Sequence, residues 1–413
     1  GKLMEDSGAV GAIARWMTVK LGPQRAMLSV VLAGAAVTYG GVSLFVAIFV
    51  LVPMAMALFR EAGIPRRLMP AAIGLGTMTF TMSAMPGTPA IQNAIPMPVF
   101  GTTAFAAPGL GLIATAIMFG FGMWWLRLQE GRARAAGEGF GDPTPADVDA
   151  AADDPLIRER ASTAAAFDPA EVHHSQPARD EPPILLAALP LVVVVVVNLV
   201  MSLLVLPSID AGFLAEAAWG STSLSAVAGV WSVAVALMAA IIVLLATSFA
   251  RLPDLRATMD AGANASVLPI FAVASLVGFG AVVAAMPAFE VVRDWVLGIG
   301  GGPLVSLAAA TNILAALTGS ASGGLTIALD ALGPRFMVMA AETGLDPGLM
   351  HRVAVIGAGA LDSLPHNGAV VTLLAVCGST HKASYFDLVM ACVVSALIAL
   401  VAVIVLGSLV GSF

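Results

Sequence analysis

The stretch GALDSLPHNGAVVTLL, residues 359–374, interrupts an apolar sequence with a proline, an asparagine and a glycine in close succession. A stretch of the same character, MTFTMSAMPGTPAIQNAIP, occupies residues 78–96. Proline lacks the backbone donor that a helix requires, and glycine gives the backbone conformational freedom, so neither stretch continues as one regular helix. We predict that each is a helix broken in its middle.

The composition places both breaks in a membrane protein. Of the 413 residues, 59% are hydrophobic and 11% are charged, whereas soluble domains contain about 25% charged residues. Residues 26–59 and 68–126 contain no Asp, Glu, Lys or Arg, and about 20 such residues suffice for one membrane-spanning helix. We therefore predict an all-α polytopic membrane protein in a lipid bilayer, with no cofactor and no bound metal.

One segment is polar, and we predict that it is a cytoplasmic linker over residues 128–182. Between Arg127 and Glu181 there are 12 acidic residues and 6 arginines, which accounts for most of the net charge of −7. His173 and His174 lie there, and solvated loop histidines are favoured over a metal site. No basic stripe alternates with aromatic residues, so a nucleic-acid partner is not expected.

The two flanking halves, 1–127 and 183–413, repeat the same order of landmarks. In the first half VTYGGVS, and in the second LTGSASGGLT, is a small-polar sequence that follows an apolar run. EAGIPRRLM in the first half then corresponds to ETGLDPGLM in the second, and each of these two stretches precedes the break of its half. We predict helical hairpins over 24–59 and 303–341, and broken helices over 66–95 and 348–378. The second half carries one more apolar helix before this set, so a missing amino-terminal span is predicted.

The positive charges indicate how the halves are oriented. If each hairpin is re-entrant, with its tip inside the membrane, the basic residues around the first hairpin share a side with those near residue 130, and the second hairpin faces the opposite side. The halves are then inverted repeats and the basic side is cytoplasmic. Hairpin arms that span the whole membrane are the alternative.

The breaks and the hairpin tips are predicted to form a substrate site. An unpaired backbone group in hydrocarbon costs several kcal/mol, so irregular backbone persists where protein or a water-filled cavity surrounds it. Half-helix N-termini suit a carboxylate, and glycine-rich tips add N–H and hydroxyl donors. The candidate substrate-binding residues are Thr38, Tyr39, Gly40, Gly41, Ser43, Ser83, Gly87, Thr88, Gln92, Asn93, Thr318, Ser320, Ser322, Gly323, Gly324, Ser363, His366 and Asn367.

Asp362 is the candidate proton carrier, since it is the one carboxylate between Arg352 and Asp387 and lies at the second break. Ionisable groups at such depth are energetically expensive and usually functional, and burial favours the neutral acid. His366, four residues later, is predicted to share this role. The alternative for Asp362 is a structural one, in which it caps the half-helix that begins after Pro365.

These stretches resemble the GntP family of gluconate-type permeases, within the ion transporter superfamily. The resemblance is carried by GKLMEDSGAVGAIARW, TMSAMPGTPAIQNAIP and SASGGLTIALDALG, and most specifically by LDSLPHNGAVV. It covers nearly the whole chain outside the linker.

The resemblance implies an elevator-type secondary transporter in the bacterial inner membrane, assembled as a homodimer. A mobile domain with both hairpins and both broken helices would carry the substrate, a small organic anion, usually in symport with a proton. Family substrates are sugar acids and short hydroxycarboxylates such as gluconate or 3-hydroxybutyrate. Gluconate carriers have a histidine-containing first break, whereas this chain has AMPGTPAIQN at 84–93, which favours the smaller hydroxy acid.

Three alternatives stay open at this point. Sodium coupling is compatible with the hydroxyls of the tips and with unwound carbonyls. A channel is less compatible with two breaks than a carrier is, and an enzyme is not expected because no HExxH motif and no nucleophile–histidine pair is evident. Cys377 and Cys392 lie in apolar sequence without metal-ligand spacing, so buried free thiols are favoured over a disulfide.

Overall fold

The chain forms an all-helical bundle in the computed structural model. The structure describes residues 1–141, 178, 180–284, 286, 287, 290, 291, 294, 295 and 298–413, and no β-strand occurs among them. Within these residues, six helices are long and apolar enough to cross a membrane, which confirms the prediction of a polytopic membrane protein. They are Leu44–Ala62, Pro108–Ala135, Ile184–Ser208, Ala217–Arg251, Ala321–Thr343 and His381–Val410.

The first hairpin consists of the helices Ala26–Tyr39 and Leu44–Ala62. Its tip contains a pair of glycines, and Gly41 adopts a φ of +84°, a conformation that residues with a Cβ rarely take. The second arm ends at Gly63, which is left-handed with a φ of +63° and so closes the helix in the usual glycine manner.

The first broken helix follows directly. It begins with the turn Arg66–Leu68, continues as Met69–Thr77 and, after a short irregular step, as Phe80–Ser83. Residues 84–90 are not helical, because Pro86 and Pro89 interrupt the chain there. Two short helices, Ile91–Ala94 and Pro96–Phe100, resume after the break.

The second hairpin and the second broken helix have clearer ends. The hairpin consists of Pro303–Thr318 and Ala321–Thr343, with Gly319 left-handed at its tip, and the broken helix consists of Pro347–Ala360 and Gly368–Val376. Side chains cap three of these helices: those of Ser320, Asp346 and Asn367 each accept a hydrogen bond from a backbone N–H of the following turn.

In both halves the first arm of the hairpin packs closely along the first segment of the broken helix. A Cβ on Gly76 would overlap the carbonyl oxygen of Val31, and a Cβ on Gly357 would overlap the hydroxyl of Thr311. Both glycines therefore permit backbones to approach more closely than any larger residue would allow, as small residues do where membrane helices pack.

The remaining helices surround these elements. Pro108–Ala135 packs against Ser395–Val410, and Ile184–Val200 packs against Leu224–Ser248 to form what we call the helix pair. Pro108–Ala135 extends through the first eight residues of the segment predicted as linker. Residues 142–177 of that segment, with His173 and His174, lie outside the described residues. The other helices are Lys2–Asp6, Ala9–Leu21, Leu255–Ala284 and His381–Leu388.

The two cysteines are where the sequence predicted them to be. Cys377 and Cys392 are both buried as free thiols. Cys392 lies against Gly74 of the first broken helix, and Cys377 lies against the arginine-bearing turn at its start. Both therefore pack as small hydrophobic residues.

Replacing Gly76 with alanine should destabilise the protein, because the new methyl group would meet the backbone of Val31. Overpacking of this kind costs about 1–3 kcal/mol. Gly120→Ala is the matched control, since no atom lies within 4 Å of a Cβ built at Gly120. We expect a lower melting temperature in detergent for Gly76→Ala than for Gly120→Ala, measured by fluorescence-detected size exclusion; equal values would contradict the close contact.

Candidate functional site

The tip of the first hairpin is bonded to the first break. The Tyr39 hydroxyl donates to the carbonyl oxygen of Pro86 at 2.7 Å. The Thr38 hydroxyl donates to the Gly34 carbonyl oxygen at 2.8 Å and lies 3.1 Å from the hydroxyl of Thr81. Tyr39 thus supplies a donor to a carbonyl that the break has removed from helical pairing, whereas buried Thr38 is engaged within the packed helices.

Polar side chains also donate hydrogen bonds to backbone carbonyl oxygens in and around the first break. The amide nitrogen of Asn93, which is fully buried, donates to the carbonyl oxygens of Thr88 and Ala104, both at 3.1 Å. The Ser83 hydroxyl donates to the Thr79 carbonyl oxygen at 3.0 Å. Asn93 and Ser83 therefore hold the shape of the break, and their binding of substrate stays a prediction.

The helix pair contributes one polar contact that the sequence did not reveal. Asn198, fully buried within an otherwise apolar helix, donates to the carbonyl oxygen of Gly87 at 3.3 Å. The same helix meets the hairpin tip, since a Cβ on Gly40 would overlap the side chain of Leu191. A lone amide after six consecutive valines was the available signal for this contact.

The second hairpin tip is bonded to the second break in a corresponding way. The Asn367 amide nitrogen donates to the Gly319 carbonyl oxygen at 2.7 Å, and His366 Nε2 donates to the Ala316 carbonyl oxygen at 2.9 Å. The Asp362 carboxylate accepts hydrogen bonds from the Ser363 hydroxyl at 3.1 Å and from the Ala321 backbone N–H. Asp362, Ser363, His366 and Asn367 are thus brought together.

The predicted alternative for Asp362, as cap of the half-helix after Pro365, is wrong. Asn367 is the cap, because its side-chain oxygen accepts from the backbone N–H groups of Ala369 and Val370 at 2.7 and 3.3 Å. Asp362 instead accepts from Ala321, the first residue of the second hairpin arm. The carboxylate therefore joins the break to the hairpin, and the asparagine begins the half-helix.

The other predicted residues of the second tip shape the turn itself. The Thr318 hydroxyl donates to the Leu314 carbonyl oxygen at 2.8 Å, and the hydroxyls of Ser320 and Ser322 lie 3.3 Å apart. Gly323 donates its N–H to the Ser320 hydroxyl at 3.2 Å, while Gly324 packs directly on the backbone of the facing arm. These groups occupy the tip but direct most of their bonds within it.

A buried arginine, which the sequence analysis did not select as a site residue, joins the two halves. Arg352 lies on the second broken helix and is fully buried. Its guanidinium donates to the carbonyl oxygen of Ala106 at 2.7 Å, to that of Ser83 at 2.9 Å and to the Asn93 side-chain oxygen at 3.5 Å. Among the described residues it has no carboxylate partner within 4.0 Å, so its positive charge is balanced by carbonyl dipoles.

His351 completes this network. Its Nε2 donates to the Asn93 side-chain oxygen at 3.1 Å, and its Nδ1 accepts from the Thr102 hydroxyl at 2.6 Å. Like Arg352, it is fully buried. Adjacent His and Arg side chains at the start of an apolar run were the signal in the sequence, because polar groups at that depth need partners from another element.

A cavity of about 550 Å³ opens at the first hairpin tip, and we call it the chamber. The predicted residues Gly40, Gly41 and Ser43 line it, whereas no residue of the second break does. The helix pair, the helix Leu255–Ala284 and the start of the chain form its other walls through Lys2, Leu3, Val194, Leu237, Thr258, Gly262 and Ser266, among others. The first tip thus lines a cavity, while the second tip is bonded to its own break through Asn367 and His366.

Gln92 differs from its neighbour Asn93. Its side-chain oxygen is buried and accepts no hydrogen bond among the described residues. The side-chain oxygen of Asn312, on the first arm of the second hairpin, is likewise buried and accepts no hydrogen bond from the described residues. Over the part of the chain that the structure describes, no group of three or more His, Cys, Asp or Glu side chains is placed to hold a metal ion.

The comparisons with known proteins identify the family. Residues 1–118 match the family model for GntP family permeases. The uncharacterized transporter YxjC of Bacillus subtilis (strain 168) is 37% identical over 399 residues, which cover 94% of this chain and 80% of that protein. This chain belongs to the GntP family of permeases. The permease is therefore a membrane transporter and not an enzyme, as the sequence predicted.

Removing the charge of Arg352 should destabilise this permease. Arg352→Met would leave the carbonyl oxygens of Ser83 and Ala106 buried without those donors, and each such group costs about 1–3 kcal/mol. Arg352→Lys should recover part of the loss, because a lysine keeps the charge but lacks the planar fork. We expect a lower yield of monodisperse protein and a lower melting temperature.

Arg256→Met is the control for this prediction, since the side chain of Arg256 is 93% exposed. It should leave the melting temperature unchanged. If Arg352→Met were as stable as the control, the guanidinium would not be what joins the two halves.

Proposed function

We propose that this GntP family permease is a proton-coupled secondary transporter that imports a small organic anion, a hydroxycarboxylate or sugar acid of the 3-hydroxybutyrate or gluconate type. The observation that carries the proposal is the pairing of each hairpin tip with a break. Tyr39 of the first tip donates to the carbonyl oxygen of Pro86 in the first break, and Asn367 of the second break donates to the carbonyl oxygen of Gly319 at the second tip. Paired interrupted helices of this kind are the usual setting for a transport site near the middle of the membrane.

The proposal includes two inverted repeats, 1–127 and 183–413, joined by a cytoplasmic linker. Corresponding positions support it: the hairpins end at Ala62 and Thr343, 281 positions apart (343 minus 62), and Gly76 and Gly357 differ by the same number (357 minus 76). Each glycine packs on the first arm of its own hairpin. Equal spacing of such contacts is expected if both halves fold alike.

Re-entrant hairpins are supported by the length of their first arms. Ala26–Tyr39 has 14 residues and Pro303–Thr318 has 16. At about 1.5 Å per residue, 14 residues extend about 21 Å, which is less than the hydrocarbon thickness of about 30 Å. The tips would then lie within the membrane, at the depth of the breaks.

An elevator movement is supported by the surface between the first tip and the helix pair. Gly40 lies against Leu191 and Gly41 against Leu237, so backbone meets apolar side chains there. The hydrogen bond from Asn198 to Gly87 is long, at 3.3 Å. A surface with few strong polar contacts can slide at low cost, and we propose that the helix pair belongs to a fixed scaffold within a homodimer in the bacterial inner membrane.

We further propose that Asp362 carries the coupling proton, with His366 in support. Asp362 lies where the second break meets the second hairpin, and its carboxylate accepts from Ala321 and Ser363. A proton on this carboxylate would weaken both contacts and so loosen the hairpin from the break. Protonation and movement of the second tip would in this way be linked.

Sodium coupling is the second candidate, and one observation favours it. The side-chain oxygens of Gln92 and Asn312 are buried without a hydrogen-bond donor among the described residues. Buried oxygens in this condition are available to a hard cation such as sodium. Under this alternative the two amides, and not Asp362, would respond to the coupling ion.

Uptake by proteoliposomes separates these candidates. With an inward proton gradient and no sodium, we expect saturable accumulation of radiolabelled 3-hydroxybutyrate or gluconate above its equilibrium level, since a titrating carboxylate couples to the proton. The same gradient with a protonophore is the control. Accumulation that follows a sodium gradient and ignores the pH gradient would support sodium coupling, and no accumulation of any organic acid would refute the proposal.

Asp362→Asn should abolish proton-driven accumulation, because the amide keeps the shape of the carboxylate but does not titrate. Exchange of internal for external substrate at equal concentrations should persist, since exchange needs no net proton movement. Asp330→Asn is the matched control, because Asp330 lies exposed on the second hairpin. Full proton-driven accumulation in Asp362→Asn would remove Asp362 from the coupling step.

A further inference from the structure

A groove of about 710 Å³ lies between the first arm of the first hairpin and the helix Pro108–Ala135, and we call it the lateral groove. Leu28 and Leu32 of the hairpin arm form one wall, and the long helix forms the other. No residue that lines the chamber lines the lateral groove, and neither break contributes to it. The lateral groove is therefore separate from the proposed transport site.

The lateral groove follows one face of the long helix. Phe119 and Met123 are four positions apart, as are Gly120 and Trp124, so these four residues share that face. No atom of the described residues lies within 4 Å of a Cβ built at Gly120, so the glycine forms the floor of the groove. From residue 119 to residue 127 the helix rises about 12 Å. An apolar groove of this length along a membrane helix fits part of a lipid acyl chain.

One end of the lateral groove is cationic. Of the described residues that line it, Arg127 alone is charged. Residues 68–126 contain no Asp, Glu, Lys or Arg, so Arg127 is the first charged residue after that run. A membrane helix meets the lipid headgroups where its apolar sequence gives way to basic residues. Arg127 is therefore expected at the depth of the headgroups.

The hairpin wall becomes basic at the same end of the groove. Arg25 immediately precedes the uncharged run 26–59 and lies about one helical turn before Leu28. The base of this hairpin and the end of the long helix are neighbours, because Arg134 donates to the carbonyl oxygen of Ala62 at 3.4 Å. Both walls thus change from apolar to basic side chains toward one side of the membrane.

The two arginines are free to bind a ligand as far as the described part of the chain is concerned. Arg127 and Arg25 are both exposed, and no hydrogen bond or ion pair joins their side chains to another described residue. The carboxylate of Glu130, on the same helix, pairs instead with Arg134 at 2.7 Å. The positive charge at the end of the groove is therefore not neutralised by that neighbour.

We propose that the lateral groove binds an anionic phospholipid of the surrounding bilayer, with an acyl chain along Gly120 and the phosphate at Arg127. The groove joins an apolar slot to one cationic end, and such a lipid joins an apolar chain to one anionic end. A guanidinium group offers several N–H donors in a planar fork that matches phosphate oxygens. This inference rests on the membrane location of the protein and not on the proposed substrate or coupling ion.

The charge of the headgroup decides which lipid is preferred. A zwitterionic headgroup carries an ammonium group of its own, which the arginine repels, whereas an anionic headgroup carries net negative charge. Basic residues at the edge of a membrane span are attracted to anionic lipid for this reason. Phosphatidylglycerol should therefore bind more tightly than phosphatidylcholine.

Trp124 lies one turn before Arg127 and suits the same position in the bilayer. Its side chain is 55% exposed, and its ring centroid lies 5.4 Å from that of Phe121. Tryptophan is enriched where hydrocarbon meets headgroups, because its ring is apolar and its N–H is polar. Since Trp124 lines the groove, its fluorescence reports on a lipid bound there.

Fluorescence quenching by brominated lipids tests the proposal, because bromine on an acyl chain quenches a tryptophan that it contacts. We would reconstitute the full chain in bilayers of phosphatidylcholine and phosphatidylglycerol in varying proportions, with one of the two lipids brominated. The difference between the parent and Trp124→Phe gives the contribution of Trp124. The remaining tryptophans, such as Trp231 on the uncharged helix Leu224–Ser248, report on lipid elsewhere.

The contribution of Trp124 should show about fivefold tighter binding of phosphatidylglycerol than of phosphatidylcholine, as expected for one arginine at an anionic headgroup. Arg127→Gln should remove this preference, because glutamine is polar but uncharged. Arg132→Gln is the matched control, since Arg132 is exposed on the same helix and does not line the groove. It should keep the preference of the parent.

Two results would overturn the proposal outright: equal quenching of Trp124 by the two lipids in the parent, or a preference that Arg127→Gln leaves unchanged. If neither lipid quenches Trp124, protein covers the groove, as a second copy of the chain would, and the proposal also fails.

Filling the groove tests where the acyl chain lies. Gly120→Leu places a side chain where no described atom would meet its Cβ, and it should exclude the lipid. Gly131→Leu is the matched control, because a Cβ there also meets no atom within 4 Å and Gly131 does not line the groove. We would measure the shift in melting temperature that added phosphatidylglycerol causes for each protein in detergent, so that differences in intrinsic stability cancel.

We expect phosphatidylglycerol to raise the melting temperature of the parent and of Gly131→Leu, because a lipid chain in the groove joins the hairpin arm to the long helix. The shift should be at least halved in Gly120→Leu. Equal shifts in all three proteins would place the bound lipid outside the lateral groove and would contradict the proposal.

Discussion

The structure depends on one constraint: backbone groups freed by the prolines must find partners inside a bilayer that offers none. The freed carbonyl of Pro86 is bonded by Tyr39 from the first hairpin, and the carbonyl of Gly319 at the second tip is bonded by Asn367 from the second break. His381 and Tyr385 donate to the carbonyl oxygens of Pro365 and Ser363 in the second break at 2.9 and 3.3 Å. Each break is thus stable because a neighbouring element supplies hydrogen-bond partners for its backbone groups.

The same constraint explains the buried arginine. Ser83 ends a short helix and Ala106 lies in the non-helical connection before Pro108, and Arg352 from the other half donates to the carbonyl oxygens of both. Because one guanidinium bonds both, the two breaks are linked through a single rigid group. Any movement of the second broken helix relative to Ser83 and Ala106 would have to break these bonds.

The two hairpin tips differ in what they face. The second is bonded to its own break through Asn367 and His366, while the first lines a chamber of about 550 Å³.

Much of the fold followed from the sequence. Long uncharged runs predicted the membrane helices, and glycine, proline and small polar residues predicted where the tips and breaks fall, because these residues act through their own backbone and need no distant partner. The family was also evident at this level, since the LDSLPHNGAVV stretch is specific and the relative from Bacillus subtilis covers nearly the whole chain.

The roles within the site required the tertiary structure. Asn93 is predicted to bind substrate, and in the fold its hydrogen-bond partners include Ala104 and His351, which are 11 and 258 positions away in sequence. Whether a polar side chain is free for a ligand depends on which distant carbonyls lie beside it. The sequence by itself determined the helices, their interruptions and the family, because those depend on local backbone chemistry and hydrophobicity. The tertiary structure alone decided which polar groups form hydrogen bonds within the fold and which line the chamber, because that depends on distant parts of the chain.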